Sequence, residues 1–368
     1  GLRFIVELWN FWKFSGYQHQ GRQIAQTVLE QTVHLRRPIR AQVLRLAGWL
    51  AHDLRDYTTM LWAFQSGLEL SEELTDQAGI GLAHQGLGEL AQLRGQWDQA
   101  EVHIQHCMAL FRQMSDQRQT AWCFDLKGRI ALSQGKLSEA QTNFQESLDM
   151  FRSLGSRSAA AFVISHLGQA LFYQGEIDLS GSLFEEGLRL SQVTGDVRGP
   201  VVAITQNYLA EISIHKNQLA LAREQVDKCR ALCKEVGYTW CAELGAYTAG
   251  LLAIEENDFL SAGKYFQESL LLQQSLKEHW RSIALLEIVS TLSVLRRQWL
   301  AAARLYSASA HLRSSLNVLE LPIYRPLHEK SLQELREHLK TETLGEAWIA
   351  GQTLSLNQAI TYAIRCLE

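Results

Sequence analysis

Two short groups of side chains are the places where this sequence could hold a metal ion or carry out thiol chemistry. His103, His106 and Cys107 lie within five residues, and Cys229 and Cys233 are four residues apart. Because four residues make about one helical turn, His103 shares a helix face with Cys107, and Cys229 with Cys233. A zinc site needs four ligands, and neither group offers more than half of them. We therefore expect surface histidines and buried thiols, with a regulatory disulfide or half a metal site at Cys229 and Cys233 as the alternative.

The other reactive residues also lack an arrangement for catalysis. The 6 cysteines are scattered without the dense spacing of a secreted disulfide framework, which favours reduced thiols and a cytoplasmic location. No motif places a serine, a histidine and an acid together, and no G-x-x-x-x-G-K-[ST] loop could cradle a nucleotide. We therefore expect neither an enzyme nor a bound cofactor.

Composition and charge are those of a folded protein without a nucleic-acid or membrane surface. Of the 368 residues, 46% are hydrophobic and 20% are charged, and the formal net charge is −4. No lysine and arginine cluster marks a surface for nucleic acid or anionic lipid, and no apolar stretch reaches the roughly 18 residues of a membrane span. The sequence begins at Gly1 without an initiator methionine or a signal peptide, so we expect a fragment or a tag remnant.

The elements that must position any site recur along the chain with a nearly fixed period. One position, alanine or serine in all cases but one, returns eight times, and six of the seven intervals are 40 or 42 residues. These residues are Ala25, Met60, Ala100, Ala140, Ser180, Ala222, Ala262 and Ala302. A large apolar residue follows four positions later, as Phe144 follows Ala140, and a small residue such as Gly128 stands twelve positions before. A period of this length predicts a solenoid of helix pairs.

The predicted helices cover nearly the whole chain. Glycine or asparagine marks the end of several first helices, because both residue types accept the left-handed conformation of a helix cap. These residues are Gly95, Gly135, Gly175, Asn217 and Asn257. The predicted pairs are 2–35, 41–71, 77–113, 117–153, 157–193, 199–235, 238–275 and 279–315. From Pro322 the pattern changes to three short helices at 331–340, 344–350 and 356–367, which we interpret as a C-terminal cap over 318–368 after a repeat array over 1–317.

The spacing of small and large residues resembles the tetratricopeptide repeat in its 40-residue form. Gly88, Ala100, Ile104 and Cys107 carry the pattern, which recurs in register over about 2–315. Several repeats depart from the motif in detail. The resemblance implies an all-α fold, a right-handed superhelical solenoid of about eight helix pairs with a short helical cap.

Two further segments resemble the sensor regions of bacterial STAND-class signal-transduction ATPases and transcriptional regulators. Residues 8–17, LWNFWKFSGY, followed by Gly21 and Arg22, are similar to the first repeat of those sensors. Residues 344–363, which begin LGEAW, are similar to their C-terminal tail. The resemblance implies that the repeats sense an inducer or a partner and release an upstream ATPase domain, absent from these residues, from autoinhibition.

A candidate binding surface follows from the geometry of paired-helix solenoids, in which first helices line the concave groove. Positions three before, one after and four after the small residue of each first helix lie on one face and point inward. The candidate residues are Arg45, Trp49, Gln85, Glu89, Trp122, Asp125, Arg129, Gln169, Phe172, Asn207, Glu211 and Tyr247. They mix aromatic rings, amides and both charge signs, as ligand pockets do. The alternative is that they are solvated, with Arg129 paired to Asp125 four positions away.

Two functions are compatible with this groove. The first is a sensor or regulatory module that binds a small-molecule or peptide inducer and signals to an attached ATPase or effector. The second is a scaffold that holds an extended or helical segment of a partner protein. Apolar inward positions in the later repeats favour the scaffold, namely Leu244, Leu251, Ile254 and Val294. We expect direct contact with neither nucleic acid nor membrane.

Overall fold

The structure, a computed structural model, describes residues 1–14, 17–35, 37–195, 199–237, 239–276 and 279–368. Every regular element within these ranges is helical. None of the described helices is both long enough and apolar enough to cross a membrane. Ser15 and Gly16, which belong to the motif of the predicted first repeat, lie outside the described residues.

The helices follow one another in pairs that are joined by short turns. The first repeat consists of α1 (Leu2–Glu7), α2 (Trp9–Phe14) and α3 (Gln18–Gln31). The next pairs are α4 (Pro38–Asp53) with α5 (Tyr57–Glu73), α6 (Gln77–Leu93) with α7 (Trp97–Gln113), α8 (Gln117–Ser133) with α9 (Leu137–Ser153), and α10 (Arg157–Gln174) with α11 (Ile177–Thr194). The last pairs are α12 (Pro200–His215) with α13 (Leu219–Val236), α14 (Thr239–Glu255) with α15 (Phe259–Leu276), and α16 (His279–Leu295) with α17 (Trp299–Ser315). Each helix packs on its neighbours in sequence, so the predicted all-α solenoid of helix pairs is confirmed.

The C-terminal helices differ in part from their predicted positions. A 3-10 turn (Pro322–Tyr324) leads into α18 (Arg325–His338), which begins six residues before the predicted start at 331. The reason is that Pro326 stands in the first turn of α18, where its missing N–H group costs nothing, instead of marking a junction. The helices α19 (Thr341–Gln352) and α20 (Leu356–Leu367) cover the other two predicted segments. The division of the chain into an array over 1–317 and a cap over 318–368 stays a prediction.

The turn after each first helix takes the predicted left-handed conformation. The φ angles are 69° at Gly95, 73° at Gly135 and 94° at Gly175, and 55° at Asn217 and 59° at Asn257. Glycine has no Cβ to clash in this region, and asparagine tolerates it better than most residues do. The cap prediction is therefore confirmed at all of these positions.

Within several repeats the two helices touch through an aromatic ring that lies on a glycine. An ideal Cβ atom built on Gly128 would stand 2.5 Å from ring atoms of Phe144, a fully buried side chain of the facing helix. The same contact recurs at Gly48 with Phe64, Gly168 with Phe184, and Gly250 with Phe266. Glycine is therefore required because the ring fills the space of its missing side chain.

The superhelix curls until early repeats contact late ones. The hydroxyl of Tyr57, at the start of α5, donates to the carbonyl oxygen of Leu276 at 2.5 Å. The indole nitrogen of Trp97, at the start of α7, donates to the carbonyl oxygen of Leu316 at 3.3 Å. Both pairs are 219 residues apart, and 219/40 is about five and a half periods. These contacts narrow the space inside the superhelix.

The segment 316–324, which we call the strap, connects α17 to α18 and crosses the inner side of the superhelix. Its Leu319 contacts Gly135 after α8, while its Tyr324 packs in the core of α10 to α12. After the strap, α20 packs its buried Ile360 and Ala363 on the core of α15, α16 and α17. The strap therefore links the last repeat to the middle of the array.

A Gly128→Ala substitution tests the contact between ring and glycine. The added methyl group must displace the Phe144 ring, so we expect the free energy of unfolding to fall by about 1–3 kcal/mol. Gly345→Ala is the matched control, because a Cβ atom at this helical glycine meets nothing within 4 Å. Urea denaturation measures both changes. Equal stability of the two variants would contradict the described packing.

Candidate functional site

The predicted groove residues lie on a surface formed by first helices, from α4 to α14, which contact one another side by side. Seven of the twelve predicted residues are buried there, and five of the twelve bond to one another. Relative exposures are 3% for Glu89, 0% for Asp125, 1% for Asn207 and 2% for Glu211. We call this surface, with the side chains that face it, the inner surface.

A network of ion pairs joins four successive first helices across the inner surface. Both terminal nitrogens of the Arg129 guanidinium donate to the carboxylate of Glu89, and its Nε donates to Asp125 Oδ2 at 3.0 Å. At the two ends stand histidines: His52 Nε2 lies 3.1 Å from Glu89 Oε1, and His166 Nδ1 lies 2.7 Å from Asp125 Oδ1. The network therefore runs from α4 through α6 and α8 to α10, and it includes the expected pair of Arg129 with Asp125.

Charges within this network determine its protonation. Burial alone would raise the pKa of Glu89, but the Arg129 charge and the hydrogen bonds from His52 and Arg129 hold that pKa well below its usual range. Burial opposes protonation of His52 as well, yet hydrogen bonds to Asp53 and Glu89 raise its pKa above the usual value. The carboxylate of Glu89 is therefore ionised, and its bonds are used within the protein.

The second part of the inner surface is a cluster of aromatic and amide groups on α10 and α12. The Tyr173 and Tyr208 hydroxyls lie 2.8 Å apart, and the Gln169 amide donates to both. The fully buried Phe172 packs edge-on against Tyr208, with ring centroids 5.5 Å apart. Burial raises the pKa of both tyrosines. These hydroxyls are therefore neutral donors and acceptors inside the superhelix.

Glu211 is the centre of a third group, which joins α12, α14 and the strap. The Asn207 amide donates to Glu211 Oε1 at 3.1 Å, and the Thr248 hydroxyl lies 3.1 Å from the same oxygen. The Tyr324 hydroxyl of the strap donates to Glu211 Oε2 at 3.1 Å. Burial raises the pKa of Glu211 to about 7, although these hydrogen bonds and the Arg281 charge lower it in part. Glu211 is thus the inner-surface carboxylate whose charge changes near neutral pH.

The remaining predicted residues also lie on first helices, but each contacts different neighbours. The Arg45 guanidinium donates to the Ser71 hydroxyl of α5 at 3.4 Å. Trp49 packs on Phe64, and Trp122 packs on Phe151 and Phe162. Gln85 is buried on α6, and Tyr247 is buried on α14, where it faces Tyr324. The structure therefore brings together Glu89, Asp125 and Arg129, and separately Asn207, Glu211 and Tyr247.

The strap touches the inner surface through few bonds. The Leu319 amide donates to the carbonyl oxygen of Gln134 at 2.9 Å, an oxygen at the end of α8 that has no helical partner. A Cβ atom on Gly135 would stand 2.8 Å from Leu319 Cβ, so only glycine admits the strap at this turn. Of the strap residues, Tyr324 alone is buried, whereas Leu319 is 53% exposed. One tyrosine and one backbone bond therefore fix the middle and end of the strap.

A cleft of about 540 Å³ opens beside the strap. Its walls are the turn and first residues of α9, the end of α10, and strap residues. They include Lys136, Ser138, Glu139, Gln174, Leu319 and Arg325. The cleft is wide open to solvent, and its walls combine apolar and charged groups.

The cysteine pair Cys229 and Cys233 and the histidine His103 have partners that their sequence spacing did not predict. Cys233 forms a disulfide with Cys241 of α14, and the free Cys229 thiol lies 3.9 Å from Cys233 Sγ. Among the described residues, this trio is the one group of three metal-ligand side chains within 4.8 Å. His103 pairs with His84 of α6, Nδ1 to Nδ1, at 2.9 Å.

Sequence reasoning missed the residues that complete the inner surface. Tyr173, Tyr208 and Thr248 come from first-helix positions next to the predicted ones, where a small error in helical phase decides which side chains face inward. Tyr324 comes from the strap, which looks like a simple connection. Its apolar content was the available signal, since surface loops seldom carry five apolar residues within seven. These residues are Val318, Leu319, Leu321, Ile323 and Tyr324.

Comparison with known proteins supports the repeat assignment. Residues 79–153 match the family model described as tetratricopeptide repeat, so the segment from α6 to α9 consists of such repeats. The predicted repeat is therefore confirmed within these residues. No curated protein matches the chain significantly.

Solved structures share the fold at low sequence identity. The Rap protein complexed with Competence and Sporulation Factor is 11% identical, with a TM-score of 0.63 over 85% of this chain and 81% of that chain. The apo form of RapI is 10% identical, with a TM-score of 0.54 over 81% of this chain and 99% of that chain. A STAND protein with a tetratricopeptide repeat sensor from Pyrococcus horikoshii is 14% identical, with a TM-score of 0.47 over 91% of this chain and 53% of that chain.

Arg129→Met tests whether the ion-pair network holds the inner surface. The variant leaves Glu89 and Asp125 buried without their cation, so we expect a loss of about 3–5 kcal/mol in the free energy of unfolding. Arg152→Met is the control, since Arg152 pairs with Glu186 in an exposed contact worth less than about 1 kcal/mol. Chemical denaturation measures both losses. A similar small loss in the two variants would show that Arg129 is not a structural cation.

Glu211→Gln tests the protonation of the third group. A carboxyl group whose folded pKa of about 7 exceeds its ordinary 4.5 stabilises the folded state below pH 4.5, and this contribution is lost as the pH rises through 7. We therefore expect wild-type stability to fall by roughly 3 kcal/mol over this interval. The slope should be absent in Glu211→Gln and retained in Glu342→Gln, an exposed control. Thermal melts from pH 4 to 8 give the comparison, and an identical slope in all three proteins would contradict it.

Proposed function

We propose that this chain is a sensor or regulatory module whose inner surface binds a peptide or small-molecule inducer. Binding would be passed on to an attached ATPase or effector. The observation that carries the proposal is that the inner surface already holds a connecting segment of polypeptide, the strap. A surface that bonds a strap amide to a helix end and a strap tyrosine to a buried carboxylate offers the contacts that an extended ligand needs.

A fold relative supports a bound inducer. The Rap protein whose fold this chain shares is described as complexed with Competence and Sporulation Factor. The upstream ATPase is implied by the resemblance of residues 8–17 and 344–363 to STAND sensor regions. In the proposed arrangement the repeats of this chain are the part that receives the inducer.

Closure of the superhelix supplies a route from binding to signalling. The bonds from Tyr57 to Leu276 and from Trp97 to Leu316 join repeats that are far apart in sequence. A ligand that binds one curvature more tightly than another shifts the population by its differential affinity. Because neighbouring repeats are coupled only through their shared interfaces, a change at the inner surface alters the position of both ends.

The alternative function is a scaffold for a segment of a partner protein. Two half-buried residues of α14, Leu251 and Ile254, give the later repeats apolar inner positions that suit a long segment. The cleft of about 540 Å³ beside the strap favours instead a compact ligand or one anchoring side chain. A scaffold would contact a long segment of its partner, whereas an inducer site would contact a short peptide or a small molecule.

Native and denaturing mass spectra, recorded side by side, test the proposed function. The purified chain is incubated with size-fractionated peptides and metabolites from a cell extract, then separated from unbound material. We expect a discrete added mass in the native spectrum that is lost on denaturation. An inducer gives one small mass, whereas a scaffold gives none from this fraction and retains protein from the unfractionated extract.

Ser138→Trp provides the matched control for this measurement. The indole would fill the cleft beside the strap, so we expect the added mass to disappear. Ser182→Trp changes a similarly exposed serine of α11, outside the cleft, and should keep the added mass. Retention of the same mass by both variants would place the binding site outside the cleft, and absence of any mass in the wild type would count against an inducer.

A further inference from the structure

The strap binds the inner surface with groups that a separate peptide could supply. Its Leu319 amide satisfies the carbonyl oxygen of Gln134, which the end of α8 leaves without a helical partner. The Leu316 carbonyl oxygen accepts a hydrogen bond from the Trp97 indole. Both are main-chain contacts and place no demand on the identity of the strap side chains. These two contacts would therefore accept the main chain of another segment with the same backbone path.

One strap side chain carries the specific contact. Tyr324 is 9% exposed, and its hydroxyl donates to Glu211 Oε2 at 3.1 Å. Its ring lies among aromatic rings of the inner surface, 6.3 Å from the Tyr173 centroid. The other oxygen of Glu211 is already bonded to Asn207 and Thr248. Glu211 Oε2 thus accepts one hydroxyl at the end of an aromatic ring, and in the strap Tyr324 supplies it.

The acidic side chain of the strap is bound elsewhere. Glu320 lies 3.2 Å from His328 Nδ1 and 3.5 Å from Arg325 Nε, both on α18. Glu320 also lies 4.0 Å from Arg313 at the end of α17, so its partners stand on the two helices that flank the strap. Glu320 therefore ties the strap to α17 and α18 and is not a requirement of the inner surface.

We propose that the strap is a tethered occupant of a peptide-binding site, and that the ligand is a peptide with aliphatic residues before a tyrosine, which displaces the strap. The proposal rests on the proposed function, since it identifies the inducer by chemistry. Displacement exchanges the Tyr324 bond for an equivalent bond from the ligand. Because a tethered segment acts at a high effective concentration, the wild-type chain binds only ligands that outcompete its own strap. The cleft beside the strap gives such a ligand access.

A fluorescent peptide with the strap sequence, LNVLELPIY, is the direct probe, with binding followed by anisotropy. We expect it to bind Tyr324→Phe more tightly than the wild type, and Tyr324→Ala at least about tenfold more tightly, because a hydrogen bond to a charged or partly charged acceptor is worth a factor of that order. Tyr362→Phe, which removes a hydroxyl on α20, should bind the probe like the wild type. A second probe that ends in phenylalanine should bind Tyr324→Ala about tenfold more weakly than the first.

Each outcome decides the proposal. Equal affinity of the wild type and both Tyr324 variants, no binding to a folded variant, or equal affinity of the two probes would overturn it. If thermal melts show that Tyr324→Ala is unfolded, Tyr324→Phe carries the test, because it removes a single oxygen atom. A peptide retained from the extract by the wild type, together with failure of the strap probe, would refute this ligand chemistry and leave the proposed function standing. Failure of both would refute both.

Discussion

A phenyl ring that lies on a glycine fixes the distance between the two helices of a repeat, and the rest of the structure depends on this contact. Gly128 under Phe144 and Gly168 under Phe184 are two examples with the same spacing of sixteen residues. At these glycines a side chain would displace the ring, so the two helices could not approach as closely. Four repeats have this contact, and together with the small residues at the same position of other repeats it keeps the helix pairs close in a superhelix whose repeats meet again after about five and a half periods.

This curvature explains why the inner surface is polar and yet buried. First helices stand closest together on the concave side, so charged side chains there lose their water and must bond to one another. Arg129 satisfies two carboxylates at once, and histidines close the network at both ends. Glu211 lacks such a direct cation and takes hydroxyl and amide donors instead, which leaves it open to a tyrosine from the strap. Structural polar groups and a recognition group thus share one surface.

The sequence was sufficient for the architecture because the repeat pattern encodes helix ends and helix contacts locally. The cap residues from Gly95 to Asn257 and the small anchors needed no knowledge of distant parts of the chain. Which side chains meet on the inner surface depends on the rotation between successive repeats. This angle results from many small packing differences, and no sequence motif indicates it. Consequently Arg129 with Asp125 could be paired in advance, as an i, i+4 contact on one helix, whereas His166 and Tyr324 could not. The strap in particular meets the inner surface 113 residues away from Glu211.

Hydrogen exchange of the strap amides in the free chain tests most directly whether the inner surface holds polypeptide. The Leu319 amide is bonded to the Gln134 carbonyl oxygen and the Val318 amide to the Arg313 carbonyl oxygen. We expect both to exchange more slowly than in an unstructured peptide of the same sequence, and the Leu319 amide, which alone of the two bonds across to α8, to lose this protection in Tyr324→Ala. Exchange of all strap amides at the rate of the unstructured peptide in the wild type would show that the strap does not occupy the inner surface.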